Sequence, residues 1–262
     1  MINKYKKQIG LSIFTSIIVI SFLILVIQDH NTKNITIEKN NETTTTSQIE
    51  TTTNIGIETT APTEETTNFT QQTLKRNRKK FQHKLPFRIK VNRAENFVTV
   101  YTLDENGKYT IPYKTFWCST GADIDSTPLG KFEMTERYDW RIMVDGTYAQ
   151  YAIRIHGPIM LHSVPYTTSE YDALEYWEYN KLGKPASLGC VRLQAGDIKW
   201  IYDNCDNGTK VTIYDRPNEN PPINIPKIKK IKKGNKNKGW DPTDTHEGNP
   251  WHKEATKKNI RK

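Results

Sequence analysis

No packed core can form between Asn31 and Leu74, and this confines the fold to the residues beyond. Sixteen of these 44 residues are threonine, and Asn, Glu and Gln fill much of the remainder. A segment with so little to bury cannot offset the entropy of ordering itself, so 31–85 reads as a disordered linker. It comes after Ile9–Ile27, an uncharged run of 19 residues. As a helix this run would be about 28 Å long, close to the hydrocarbon thickness of a bilayer. Lys4, Lys6 and Lys7 precede it and favour an inside amino terminus with the rest of the chain outside. The alternative is a cleaved signal peptide, but its apolar core would be shorter and a small-residue cleavage site would come next, which Leu25–His30 does not offer. Residues 1–30 therefore read as a cytoplasmic stub and a single-pass membrane anchor, which makes the remainder an extracellular domain.

From Pro86 the pattern changes. Arg88–Val91, Asn96–Tyr101 and Thr110–Cys118 are strand-like, and Asp104-Glu105-Asn106-Gly107 is a turn signal between the last two. Lys131–Met134, Arg141–Val144 and Tyr151–Ile155 continue the series, with Asp145-Gly146 as a second tight turn. The polar and aromatic stretch Tyr166–Ala186 reads as a lid or an ordinary surface excursion, with a short helix around Asp172–Asn180. Ala195–Asn204 has helical spacing through Ala195, Ile198, Ile201 and Tyr202, and Lys210–Tyr214 is a closing strand. Residues 86–216 are thus expected to form one mainly β domain with one or two short helices.

The net charge of +9 is concentrated at the end of the chain. Residues 227–262 hold 12 Lys/Arg against 4 Asp/Glu, a net +8, so 217–262 reads as a basic disordered tail. Outside the cell such a tail would meet anionic wall polymers before nucleic acid, and no nucleic-acid partner is expected. The three cysteines, Cys118, Cys190 and Cys205, are too few for a disulfide framework. No spacing suits a metal site and no cofactor motif is visible, so the expected cofactor set is empty.

The chemistry gathers at Ser187-Leu188-Gly189-Cys190-Val191-Arg192. A thiol attacks a carbonyl as its thiolate and needs a base or a positive field beside it. His156, His162 and Arg192 are the candidates. Arg192, two residues after the cysteine, shares its face in a strand and can hold a substrate carboxylate or pair within the chain, for instance with Asp197. The amides of Gly189 and Cys190 can face an oxyanion, and Ser187 or Ser163 can contact substrate. A buried core cysteine is the bland alternative.

The runs His162-Ser163-Val164, Ser187-x-Gly189-Cys190-Val191-Arg192-Leu193 and Asp197, with Thr127-Pro128-Leu129-Gly130-Lys131-Phe132 upstream, resemble the L,D-transpeptidases, the YkuD-like enzymes of bacterial cell-wall cross-linking. The resemblance spans roughly Pro86–Asp215. It departs at Leu188, where the family usually has histidine. It implies a β-sandwich or barrel-like catalytic domain with Cys190 as nucleophile and His162 as base. It also implies peptidoglycan stem peptides as substrates, release of D-alanine, and a 3,3 cross-link through a cysteine acyl-enzyme. An L,D-carboxypeptidase using water, or an inactive wall-binding module, are the alternatives.

Overall fold

The computed structural model describes residues 70–77 and 85–252, all within one compact unit. The proposed anchor Ile9–Ile27, most of the threonine-rich linker and residues 253–262 lie outside the described residues. Among those described, no helix is long and apolar enough to cross a membrane. Residues 70–77, read from sequence as linker, form a helix (α1) with Thr73 and Asn77 buried. The Asn77 amide donates to the Leu103 carbonyl at 2.7 Å, an anchor that composition does not reveal.

Nine strands make two sheets: β1 (Arg88–Asn92), β2 (Phe97–Leu103), β3 (Tyr109–Trp117), β4 (Gly130–Glu133), β5 (Arg137–Ile142), β6 (Tyr148–His156), β7 (Ile159–Ser163), β8 (Val191–Leu193) and β9 (Lys210–Tyr214). The first sheet runs β3-β2-β1-β9-β4 and the second β5-β6-β7-β8. Alternating side chains send one face of each inward. Ile89, Val91, Val98 and Val211 from one sheet and Ile153, Leu161, Val191 and Leu193 from the other share a core. Each such buried side chain contributes about 1.5–3 kcal/mol. The expected mainly β domain with few helices is what forms.

Helix α2 (Tyr176–Tyr179) lies inside the lid-like stretch, and α3 (Ala195–Asn204) buries Ala195, Ile198 and Ile201. Helix α3 starts without help from its own N-cap, since Gln194 makes no side-chain cap bond. Its first amides are satisfied from far along the chain instead. Ala195 N–H donates to Asp241 Oδ2 at 2.8 Å and Gly196 N–H to Thr243 Oγ1 at 3.0 Å. A side chain at 196 would meet the Thr243 carbonyl, 2.4 Å from where its Cβ would stand.

Residues 217–252 therefore correct the reading of a disordered tail. Ile231, Asn237, Asp241, Asp244 and Asn249 are buried, and Ile231 joins Val164, Tyr166, Leu174, Tyr179 and Leu182 in a second core. Asn180 clamps the Ile231 backbone from both sides, and Leu174 N–H donates to the Gly239 carbonyl at 2.7 Å. Few apolar anchors suffice because the polar ones are hydrogen-bonded. Asn249 alone donates to the Asp241 and Asp244 carbonyls. The seven lysines of 227–238 point outward and dominate the composition.

Docking Asp241 here has an electrostatic cost at its neighbour. Burial, reinforced by Asp241, pushes the Asp197 carboxyl up to about 7. A raised carboxyl contributes stability that is fully present below its ordinary value near 4 and is lost as pH rises through about 7. Asp197→Asn is therefore expected to gain on the order of 2 kcal/mol over the natural chain at pH 8 and nothing at pH 4. Denaturant melts at the two pH values check this, and equal gains at both would contradict it.

Candidate active site

Parallel pairing of β7 with β8 sets the site. Leu161 opposes Val191, His162 opposes Arg192 and Ser163 opposes Leu193. Val191 and Leu193 face the core, so His162, Arg192 and Cys190, just ahead of β8, fall on the opposite face. Cys190, His162 and Arg192, all candidates from sequence, thus share one face. The Cys190 sulfur is partly exposed, and its nearest acceptor is the Pro158 carbonyl at 3.7 Å.

The turn before Cys190 is built by its neighbours. Ser187 Oγ donates to the Cys190 carbonyl at 2.6 Å and accepts the Gly189 N–H at 3.0 Å. Gly189 has φ +135°, and a Cβ there would sit 2.5 Å from the Ser126 carbonyl, so only glycine fits. Thr127 Oγ1 donates to the Gly189 carbonyl at 2.7 Å and accepts Gly121 N–H at 2.8 Å. Arg93 in turn holds the 124–127 turn by donating to Thr127 O while pairing with Asp215. This chain of contacts gives the Thr127-Pro128-Leu129-Gly130 motif its local role.

Several sequence expectations change here. Ser187 and Ser163 are buried and spend their hydroxyls on the backbone, Ser163 Oγ accepting Gln150 N–H at 2.8 Å and donating to Val164 O at 2.8 Å. Neither is placed as a substrate ligand. The Gly189 amide is committed to Ser187 Oγ. Arg192 pairs with Glu178 of α2 at 2.9 Å, not with Asp197, and lies 3.9 Å from Asp145. Glu178 was not singled out from the sequence. His156 is exposed at the end of β6, its ring packed 4.8 Å from that of Phe132. Leu188, in the place of the usual histidine, is 68% exposed. Cys118 and Cys205 are buried and unbridged, and among the described residues no cluster of His, Cys, Asp and Glu suits a metal.

Burial and then the Arg192 charge hold His162 down at about 3, so its imidazole is neutral at any ordinary pH. Nδ1 lies 2.6 Å from the Ser163 carbonyl, which assigns the proton to Nδ1 and leaves Nε2 as an acceptor. Burial pushes the Cys190 thiol up, with the Met160 amide and Arg192 opposing. The pair therefore rests as neutral thiol and neutral imidazole. A thiol in this state can attack only with its proton removed in the same step, which is general-base chemistry.

A mainly β two-sheet domain with a thiol and an imidazole on one face of a parallel strand pair is the class that fold and site define. Residues 86–213 match the family model of the L,D-transpeptidase catalytic domain, YkuD. A Bacillus subtilis (strain 168) protein, YciB, named as a candidate L,D-transpeptidase, is 37% identical over 106 residues, which cover 38% of this chain and 54% of that one. The chain thus spans about half the length of that relative. Among solved structures, an L,D-transpeptidase from Mycobacterium smegmatis is similar at TM-score 0.40 and 17% identity, covering 50% of this chain and 59% of that one. One from Mycobacterium tuberculosis H37Rv is similar at 0.40 and 20%, covering 50% and 58%.

Proposed function

We propose that this chain is a membrane-anchored, extracellular enzyme that cross-links peptidoglycan by L,D-transpeptidation. Cys190 attacks the carbonyl of the third residue of a tetrapeptide stem while His162 Nε2 takes the thiol proton. The thioester forms as the bond to the terminal D-alanine breaks, and the proton returns to the departing amine. A side-chain amine of a neighbouring stem then attacks the thioester, loses its proton to His162, and leaves a 3,3 cross-link with the thiol regenerated. The observation that carries this reading is the placement of Cys190 and a neutral His162 on one face of β7–β8, within the family-matching segment. Arg192, already paired with Glu178, acts by holding the lid and by its field on the thiol. The outward lysines of 227–238 support contact with anionic wall polymers.

Purified muropeptides test the proposal. Cross-linked dimers and free D-alanine are expected, with no inflection near pH 6.5 because His162 does not titrate there. Tripeptides without dimers would instead assign water as the acceptor.

A further inference from the structure

The segment that matches the family ends at residue 213, yet one chain of hydrogen bonds that reaches His162 begins beyond it. Asp244 is buried, and its Oδ2 accepts from Gln150 Nε2 at 2.8 Å, while its Oδ1 accepts from His246 N–H at 2.9 Å. Gln150, itself buried, donates its backbone N–H to Ser163 Oγ, and the carbonyl of that same Ser163 receives the His162 ring proton. Regular β6–β7 pairing stops short of this point, its last register pair being Ile153 with Leu161. Next to Gln150, Tyr151 takes φ +51°, a left-handed backbone that a bulky side chain avoids, and its ring packs 5.4 Å from that of Tyr202 on α3. The backbone at 150–151 is thus turned away from ordinary strand pairing so that one amide reaches the serine beside the base. The side-chain bond to Asp244 holds it there.

We propose that Asp244 is a positioning residue for His162, acting through Gln150 and Ser163, so that the segment after the family domain is a working part of the active site. A strained backbone persists only where its surroundings over-determine it, and here one of the constraints is supplied 94 residues away in sequence. Losing the bond releases Gln150 and with it the Ser163 hydroxyl, leaves the Ser163–Val164 peptide to its Val164 N–H bond with the Leu193 carbonyl, and loosens the seat of the imidazole. Misplacements of about 1 Å far from the reacting atoms can cost about 100-fold in rate.

The proposal rests on the acyl-transfer reading above, and its test is chosen to separate the two. In the full chain, Asp244→Asn leaves one acceptor oxygen for two donors, Gln150 Nε2 and His246 N–H, and sets its NH2 against one of them. The pair Q150E/D244N reverses donor and acceptor across the same gap and keeps one negative charge. Two readouts are taken: muropeptide turnover, and the rate of Cys190 alkylation by iodoacetamide between pH 5 and 9, followed by mass. Asp244→Asn is expected to lower kcat about 10- to 100-fold with little change in KM and to slow alkylation near neutral pH, and Q150E/D244N to restore both. If Asp244→Asn folds with natural kcat and an unchanged alkylation profile, the proposal is overturned. Should Asp244→Asn not fold, the reversed pair decides alone, supporting the proposal if folded with the natural alkylation profile and overturning it if folded but slow. A chain that makes no cross-links, but whose alkylation still tracks the pair, would end the transpeptidase reading and leave the positioning role standing.

Discussion

Cys190→Ala is expected to abolish cross-linking, with turnover falling at least about 1000-fold, because no other group in the site can carry the acyl intermediate. The fold should survive the change. The sulfur's contact with the Pro158 carbonyl is a long one, at 3.7 Å, and the turn around it is held by Ser187, Thr127 and Gly189. Stability is therefore expected within about 1 kcal/mol of the natural chain in denaturant melts. Cys118 and Cys205 cannot stand in, since both are buried, and burial drives the Cys118 thiol far above its ordinary range. A carbapenem is expected to add its mass to the natural chain and not to Cys190→Ala. Undiminished turnover in that variant would remove the nucleophile assignment.

The second large effect is on stability. Glu178→Ala strips the guanidinium of Arg192 of its main partner in a site where both side chains are mostly buried. Asp145 at 3.9 Å and the Ala186 carbonyl at 3.2 Å do not replace a carboxylate at 2.9 Å. An unpaired buried charge costs about 3 kcal/mol, or about 6–12 °C in Tm for a domain of this size. The double variant E178L/R192M removes both charges and should regain most of that loss. Calorimetry measures the stability of both. Turnover of the double variant then decides what Arg192 does, since natural activity would show that the guanidinium serves the lid and not the substrate.

Legibility in the chain depends on the range of the interactions. Helix α3 was legible because Ala195, Ile198, Ile201 and Tyr202 repeat at helical spacing within one turn of each other. The placing of Cys190 and Arg192 on one face came from strand alternation. His162 was favoured over His156 through the resemblance of His162-Ser163-Val164 to the family. Glu178, Asp241 and Asp244 gave no such signal. Their partners Arg192, Ala195 and Gln150 lie 14, 46 and 94 residues away, and nothing local distinguishes them from solvated acids. Lysine content misled in the same way at 227–238. The charges outnumber the inward-facing isoleucines, but the isoleucines decide where the backbone lies. Ser187 and Ser163, expected to contact substrate, instead spend their hydroxyls on the backbone.

The mismatch between residue 213, where family likeness stops, and residue 252, where packing still continues, separates the evolutionary unit from the cooperative folding unit. A recombinant protein trimmed to the former would leave the first amides of α3 bare and present Tyr166, Tyr179 and Leu182 to solvent as a sticky apolar surface. Poor behaviour of such a fragment would reflect where it was cut and would carry no information about whether the chain is an enzyme.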